Sequence, residues 1–418
     1  MQFFDFRACC LLLVALSWTT LLPAQRADIN FAIAEFLAAP ELVHAQVGVR
    51  VVEVRSGRVL AAHRSGEAFI PASTQKLVTT AAALDVLGGD YRYETRLVEV
   101  QEGKTAPALY IVGSGDPTLG SPFFDRTADL KQLLATWTAA AGGITYDRVV
   151  GDGSYWGTDG VPDNWPWADL GNYYGAGAYG LNIHENLYFL DLQQRPAEGQ
   201  QPKIIRTRPS PAGFEIINEL NTGRPGTGDR AYLYAAPFDK RAVLRGTISP
   251  GRKTFTIKGT LPDPALAAAE LLNNALAFRG TKLNGPPAAA ALTGVPAARR
   301  TVLYRHNSPP LTDIIGRTNL NSLNLYAEAL VRTLPPAADE RMPGDRLLAW
   351  LNAKGLATEG CQLEDGSGLS PRNFITPRLL TDLLVLQAGN PVWRETIPVA
   401  GRTGSLRYQL RGTAAEGR

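Results

Sequence analysis

Phe69-Ile70-Pro71-Ala72-Ser73-Thr74-Gln75-Lys76-Leu77-Val78-Thr79-Thr80-Ala81-Ala82-Ala83-Leu84 is the stretch on which the fold turns. Pro71 lies near its start and Gly88-Gly89 follows its end, so the segment reads as a helix. Ser73 and Lys76 stand three residues apart at its beginning, which at about 100° per residue puts them on one face, one turn apart. An unprotonated lysine there can take the serine hydroxyl proton, and the helix N-terminus favours negative charge developing nearby. Burial beside polar groups lowers a lysine pKa toward that role. A plainer reading is a solvent-facing Ser and Lys on an amphipathic helix, since on the order of one such pair arises by chance in a chain this long.

Working outward, Gln46 to Ala62 alternates apolar and polar residues around Ser56-Gly57, the pattern of a two-stranded hairpin. From about Tyr93 to Gly294 the character changes to strand-like pieces such as Ala108–Gly113 and Arg252–Ile257, many Gly and Pro turns, and the aromatics Trp156, Trp165, Trp167, Tyr173 and Tyr174. A helix at Pro264–Arg279 closes that region. Helices return from Leu311 to about Leu356 and again at Pro377–Ala388. The order implies an α+β protein whose helix-and-sheet domain (25–92 and 295–418) is interrupted by a β-rich insertion (93–294) of two subdomains.

A second constellation sits between helical stretches, Asn319-Leu320-Asn321-Ser322-Leu323-Asn324-Leu325-Tyr326-Ala327-Glu328. Residues two apart in an extended loop point the same way, so Ser322 and Asn324 are placed to face one cleft. The hydroxyl suits proton relay and the amide suits holding a substrate amide group. An ordinary helix N-cap explains the same residues.

Composition limits the alternatives. Of 418 residues 45% are apolar and 19% charged, with 42 basic against 39 acidic side chains and a net charge of +3. That excludes a disordered or fibrous chain, and with no Lys/Arg block it argues against nucleic acid as a partner. Cys9 and Cys10 lie in an N-terminal apolar run, leaving Cys361 alone, while His44, His63, His184 and His306 lack metal-ligand spacing. No cofactor or metal is expected. Residues 1–24 read as a secretory signal: Arg7, the apolar run Ala8 to Leu16, then Pro23-Ala24. A buried helix or membrane anchor competes with that reading, but nine residues are about half the roughly 18 needed to span a bilayer. No later segment is apolar enough to span one, so a soluble protein exported to the periplasm is expected.

Together the two constellations resemble the penicillin-binding serine enzymes, whose signatures are Ser-x-x-Lys, Ser-x-Asn and Lys-Thr-Gly. The long insertion, Gly113-Ser114-Gly115-Asp116-Pro117-Thr118-Leu119, Asn321 to Leu330 and Asp365-Gly366-Ser367-Gly368-Leu369-Ser370 narrow the resemblance to the S13 peptidases. These are the D-alanyl-D-alanine carboxypeptidases and endopeptidases of the penicillin-binding protein 4 type, and the similarity runs from about Ala45 to the last residue. The resemblance implies a transpeptidase-like domain of helices on an antiparallel sheet. It implies Ser73 as the acylated nucleophile, Lys76 as its general base, Ser322 as proton relay to the leaving D-alanine and Asn324 as a binder of substrate backbone. It also implies half of an oxyanion hole from the Ser73 N–H. Asp169 matches the acidic position that meets the free amino group of a peptidoglycan stem peptide, with Tyr174 as a wall. A solvated Asp in a structural aromatic cluster fits the same residues. Asp116 and Asp365 fall in glycine turns and read as turn-formers. β-Lactams are the expected covalent inhibitors. A β-lactamase or esterase of the same fold, or a non-catalytic wall-binding pseudoenzyme, are the alternatives.

The third signature is missing. Lys253-Thr254-Phe255 lies in the insertion, and Arg402-Thr403-Gly404 belongs to Ile397–Leu406, which is similar to the family loop that precedes the Lys-Thr-Gly strand. Only 14 residues follow Gly404, enough at about 3.3 Å each for one strand and a turn. The chain thus reads as cut just before its third motif. That strand would supply the second oxyanion N–H and the cation for the substrate carboxylate. Loss of one oxyanion donor costs about 10²–10³ in rate, and an open sheet edge threatens folding. The 418-residue chain is therefore expected to be inactive or unstable, and a product continuing through Lys-Thr-Gly active. Acylation of both by a fluorescent penicillin checks this, and equal rates would contradict it.

Overall fold

The computed structural model describes residues 29–101, 106–124, 129–142, 145–292 and 299–417; the expected signal at 1–24 lies outside them. A helical turn series at 29–37 precedes the hairpin β1 (Val49–Val52) and β2 (Val59–His63), antiparallel with Val49 opposite His63. A 3₁₀ turn, Ala72–Gln75, then runs into α1 (Lys76–Leu87), which ends at Gly88 with φ 81°. The helix expected from Ser73 therefore begins as the tighter turn, and Ser73 lies within it. Strands β3 (Glu94–Val100), β4 (Ala108–Val112) and β5 (Val149–Asp152) follow, with α2 (Leu130–Ala141) between the last two.

Seven strands come next: β6 (Leu187–Gln193), β7 (Lys203–Arg208), β8 (Glu215–Asn218), β9 (Asn221–Thr222), β10 (Asp229–Tyr234), β11 (Arg241–Ile248) and β12 (Thr254–Thr260). Then come α3 (Pro264–Phe278), β13 (Ala288–Ala289) and β14 (Arg300–Asn307), and the helices α4 (Leu311–Asn321), α5 (Asn324–Thr333), α6 (Gly344–Ala353) and α7 (Pro377–Gln387). The α+β class expected from the element order is what the chain adopts, with helices about a short antiparallel hairpin and a long β-rich stretch between. The largest sheet has the order β13-β5-β4-β3-β14, parallel across β13, β5 and β4 and antiparallel beyond. Its last strand, β14, comes from past residue 294. Strand pairing thus crosses the point where the composition changes. Two smaller sheets, β10-β11-β8 with β9 on β11, and β12-β6-β7, share one core with it.

Packing explains the small side chains of α1. Val78, Ala81 and Ala82 are buried against Leu347, Leu351, Leu379 and Trp393 on one side. Ala83 belongs to a second cluster with Tyr93, Leu311, Ile315 and Tyr326. A helix enclosed on both sides has no polar face to pattern, and alanine lets its neighbours approach closely. In the insertion, Trp137 of α2 and Leu272 of α3 pack with Leu97, Leu109 and Ile111 of the five-stranded sheet.

Gly151 on β5 is required by this contact, because a Cβ there would lie 2.0 Å from the Ala265 carbonyl oxygen of α3. Gly151→Ala is expected to destabilise the protein by about 1–3 kcal/mol through overpacking. Urea unfolding checks it, and an unchanged midpoint would show that the helix gives way without cost.

Candidate active site

Ser73 stands exposed in the 3₁₀ turn ahead of α1, following Ala72, whose φ is 46°. That left-handed residue directs the turn toward the loop 365–370. The approach is so close that a Cβ on Gly368 (φ 83°) would lie 1.9 Å from the Ala72 carbonyl oxygen. Lys76 opens α1 and is 2% exposed. Its Nζ donates to the Ser367 carbonyl at 2.8 Å and lies 3.1 Å from Ser73 Oγ. Burial strips water from the ammonium and lowers the Lys76 pKa to about 8, against the opposing pull of the Glu328 and Asp365 charges. About a tenth of the amine is then neutral at pH 7, far more than for a solvated lysine.

Ser322 Oγ donates to Ser73 Oγ at 2.9 Å. Its backbone is not the extended loop that the two-residue spacing implied. Ser322 caps the C-terminus of α4 in the left-handed region, φ 56° and ψ 46°, and Asn324 already begins α5. The hydroxyl reaches Ser73 because the helix breaks there. Asn324 turns toward the insertion, where its Nδ2 donates to the Tyr174 carbonyl at 2.7 Å. The Tyr174 hydroxyl donates to Asp169 Oδ1 at 3.0 Å, and Asp169 lies on the short helix Trp167–Leu170. Burial, then the Asp169 charge, push the Tyr174 hydroxyl pKa up, so it stays a donor. Ser73, Lys76 and Ser322 thus form one contact group. Asn324, Tyr174 and Asp169 form a second chain of bonds, joined to the first through Ser322-Leu323-Asn324.

Asp365 does more than form a turn. Fully buried, it accepts from the N–H of Gly368 and of Ser370, each at 2.7 Å, from Asn373 Nδ2 at 2.9 Å and from Gln75 Nε2 at 3.1 Å. Trp165 Nε1 also donates to it at 2.9 Å, so the insertion is fastened to this loop beside the active-site helix. Asp116, by contrast, fits its turn role, accepting from the N–H and hydroxyl of Thr118 at 2.8 and 2.6 Å. Glu328 was not singled out by spacing. It is completely buried on α5 and accepts from the N–H groups of Gly366 and Ser367 at 3.1 and 2.8 Å. The signal available in the sequence was a glutamate one helical turn after Asn324, which any amphipathic helix also carries. Among the described residues no cluster of three His, Cys, Asp or Glu is placed to hold a metal ion.

Such a group can activate a serine hydroxyl with a buried amine and relay protons through a second hydroxyl. Residues 29–418 match the D-Ala-D-Ala carboxypeptidase 3 (S13) family. The D-alanyl-D-alanine carboxypeptidase of Actinomadura sp. (strain R39) is 30% identical over 416 residues, covering 94% of this chain and 76% of that protein. The D-alanyl-D-alanine carboxypeptidase DacB of Haemophilus influenzae is 24% identical over 373 residues, 86% of this chain and 75% of its own. The crystal structure of penicillin binding protein 4 from Haemophilus influenzae has the same fold, with a TM-score of 0.70 at 22% identity over 88% of this chain and 82% of that one. With the family match running from the first described residue to the last in the chain, and a relative similar over nearly all of it, this chain belongs to the D-Ala-D-Ala carboxypeptidase 3 (S13) family.

Proposed function

We propose that the protein is a serine-type D-alanyl-D-alanine carboxypeptidase and endopeptidase that cleaves peptidoglycan stem peptides and cross-links through an acyl-enzyme on Ser73. One observation carries this reading: the exposed Ser73 hydroxyl lies 3.1 Å from a buried lysine amine and 2.9 Å from a second hydroxyl. Neutral Lys76 accepts the Ser73 proton as Oγ attacks the carbonyl carbon of the terminal D-Ala–D-Ala bond. The proton returns through Ser322 to the departing amine, the C–N bond breaks, and an ester on Ser73 remains. Water, deprotonated in the same way, then hydrolyses that ester. The Ser73 N–H forms half of the oxyanion hole.

Asn324 binds the substrate backbone. Asp169, beside Tyr174, receives the free ammonium of the stem peptide, since a carboxylate set among aromatics selects a cation on an apolar stem. β-Lactams acylate Ser73 because their strained amide presents the same carbonyl. The helix-and-sheet part, 25–92 and 295–418, carries the chemistry, and the insertion at 93–294, with β14 pairing back onto it, supplies the platform for the peptide. The protein is exported by residues 1–24 and works in the periplasm. No helix among the described residues is long and apolar enough to cross a membrane.

Two measurements on the protein made from the whole reading frame test this. Ser73→Ala is expected to abolish labelling by a fluorescent penicillin while the melting curve stays cooperative; persistent labelling would remove Ser73 from the role. Asp169→Asn is expected to lower kcat/KM for a stem peptide with a free side-chain amine by about 10- to 100-fold, with little change in penicillin labelling. Equal losses for amine-blocked peptides would speak against a charge contact.

The acid limb gives a further check. Only neutral Lys76 accepts a proton, and that form grows as pH rises toward about 8. The acylation rate is therefore expected to climb about tenfold per pH unit below that value and to level above it. A profile already flat at neutral pH would exclude Lys76 as the base.

A further inference from the structure

We propose that Glu328 is a positioning residue for acylation: its carboxyl group holds the Gly366-Ser367 peptide so that the Ser367 carbonyl faces Lys76 and the lone pair of the amine points to Ser73. The inference rests on the roles proposed above for Ser73 and Lys76. Glu328 follows Asn324 by four residues on α5, one turn deeper on the same helix face. Its Oε1 accepts from the N–H of Ser367 at 2.8 Å and of Gly366 at 3.1 Å, and Oε2 from Gly366 again at 3.2 Å. The other side of that peptide is held by the Thr79 hydroxyl, which donates to the Gly366 carbonyl at 2.6 Å. Clamped from both sides, the peptide presents the Ser367 oxygen to Lys76 Nζ at 2.8 Å.

This acceptor orients the base. A neutral amine has two N–H groups and one lone pair. With one N–H given to Ser367 and a fixed approach along the buried stem, the lone pair points to Ser73 Oγ. Without the Glu328 carboxyl group, two buried N–H groups would lose their acceptor, at about 1–3 kcal/mol each, and the loop would shift to recover them.

The electrostatics run in a definite direction. The carboxyl groups facing Lys76 are Glu328 on α5 and Asp365 on the loop, and a charge on either favours the ammonium. The groups facing Glu328 are Asp365, Arg332 on its own helix and the Gly366 and Ser367 donors. Burial and then Asp365 push its pKa up to about 8. Glu328 is therefore largely protonated at neutral pH, and its carboxyl group holds the peptide by accepting hydrogen bonds rather than by charge.

The test is second-order acylation by a penicillin in protein from the whole reading frame, wild type against Glu328→Leu and Glu328→Gln, with melting curves for all three. Leucine removes both acceptors and is expected to lower the rate by about 10- to 100-fold. Glutamine keeps one oxygen able to accept from both Gly366 and Ser367, as Oε1 does, and is expected to restore most of that loss. An unchanged rate in Glu328→Leu would overturn the proposal, as would a Glu328→Gln variant as slow as Glu328→Leu. Glu328→Asp, with a shorter reach, serves even where the leucine variant does not fold; its rate is expected to fall, and an unchanged rate would also overturn the proposal. A wild-type protein with no penicillin adduct on Ser73 by mass spectrometry would strike the underlying reading instead, so the two failures are distinct.

Discussion

A primary amine held out of water is the constraint on which the rest of the structure depends. Lys76 is 2% exposed, and a buried ammonium without partners is too costly to persist. Here it keeps one backbone carbonyl, one serine hydroxyl, and two carboxylates close enough to act on its charge. Burial outweighs the carboxylates, so the pKa falls, but only to about 8 rather than to the acid values of an unsupported buried lysine. The balance gives an amine that is mostly charged at rest yet available as a base.

That balance is assembled over long sequence distances. The carbonyl facing Lys76 belongs to Ser367, 291 residues further along the chain. The Asp365 turn that shapes the loop is bonded to Gln75 on one side and to Trp165 of the insertion on the other. Gly368 allows the loop to lie against Ala72, where any side chain would collide with the backbone. The catalytic helix, the loop and the insertion therefore close around one buried point. Closure entropy grows only slowly with loop length, so a long insertion between the first two motifs costs little extra at equilibrium.

Much of this was legible in residue order. The hairpin at Val49–His63, the helix after Pro71, and the helices at Pro264, Leu311 and Pro377 follow from alternation, capping and Gly/Pro punctuation. The approach of Lys76 to Ser73 follows from helical spacing. Other features depend on tertiary contacts that local pattern does not encode. Ser322 adopts a left-handed conformation, which serine enters only when its surroundings demand it, so the extended geometry inferred from spacing did not form. Asp365 carried the signature of a turn-former, and its bonds to Trp165 and Gln75 come from segments far away. Glu328 carries no mark of its position in the residue order, because nothing in its neighbours reports that α5 is enclosed on that side. The strand β14 lies among residues whose composition resembles the helical part, while its hydrogen bonds belong to the insertion.

The bond from Asn324 to the Tyr174 carbonyl links the two functions assigned to the site. Under the role proposed for Asn324, a substrate carbonyl must take the N–H that Tyr174 now holds at 2.7 Å. Exchanging one neutral hydrogen bond for another is nearly balanced, with a net difference of about 1 kcal/mol or less. Binding energy must then come from elsewhere, and the stretch Trp165–Tyr174 is where a longer substrate meets more of the protein. Asp169 accepts from the Tyr174 hydroxyl at 3.0 Å, so the residue whose carbonyl is displaced at one end is held by that carboxylate at the other. A peptide that gives Asp169 an ammonium and Asn324 a carbonyl engages both ends of Tyr174. A short amide engages only one. Under the roles proposed for Asn324 and Asp169, selectivity for a long, amine-bearing peptide would follow from a single tyrosine bonded at its backbone to Asn324 and at its hydroxyl to Asp169.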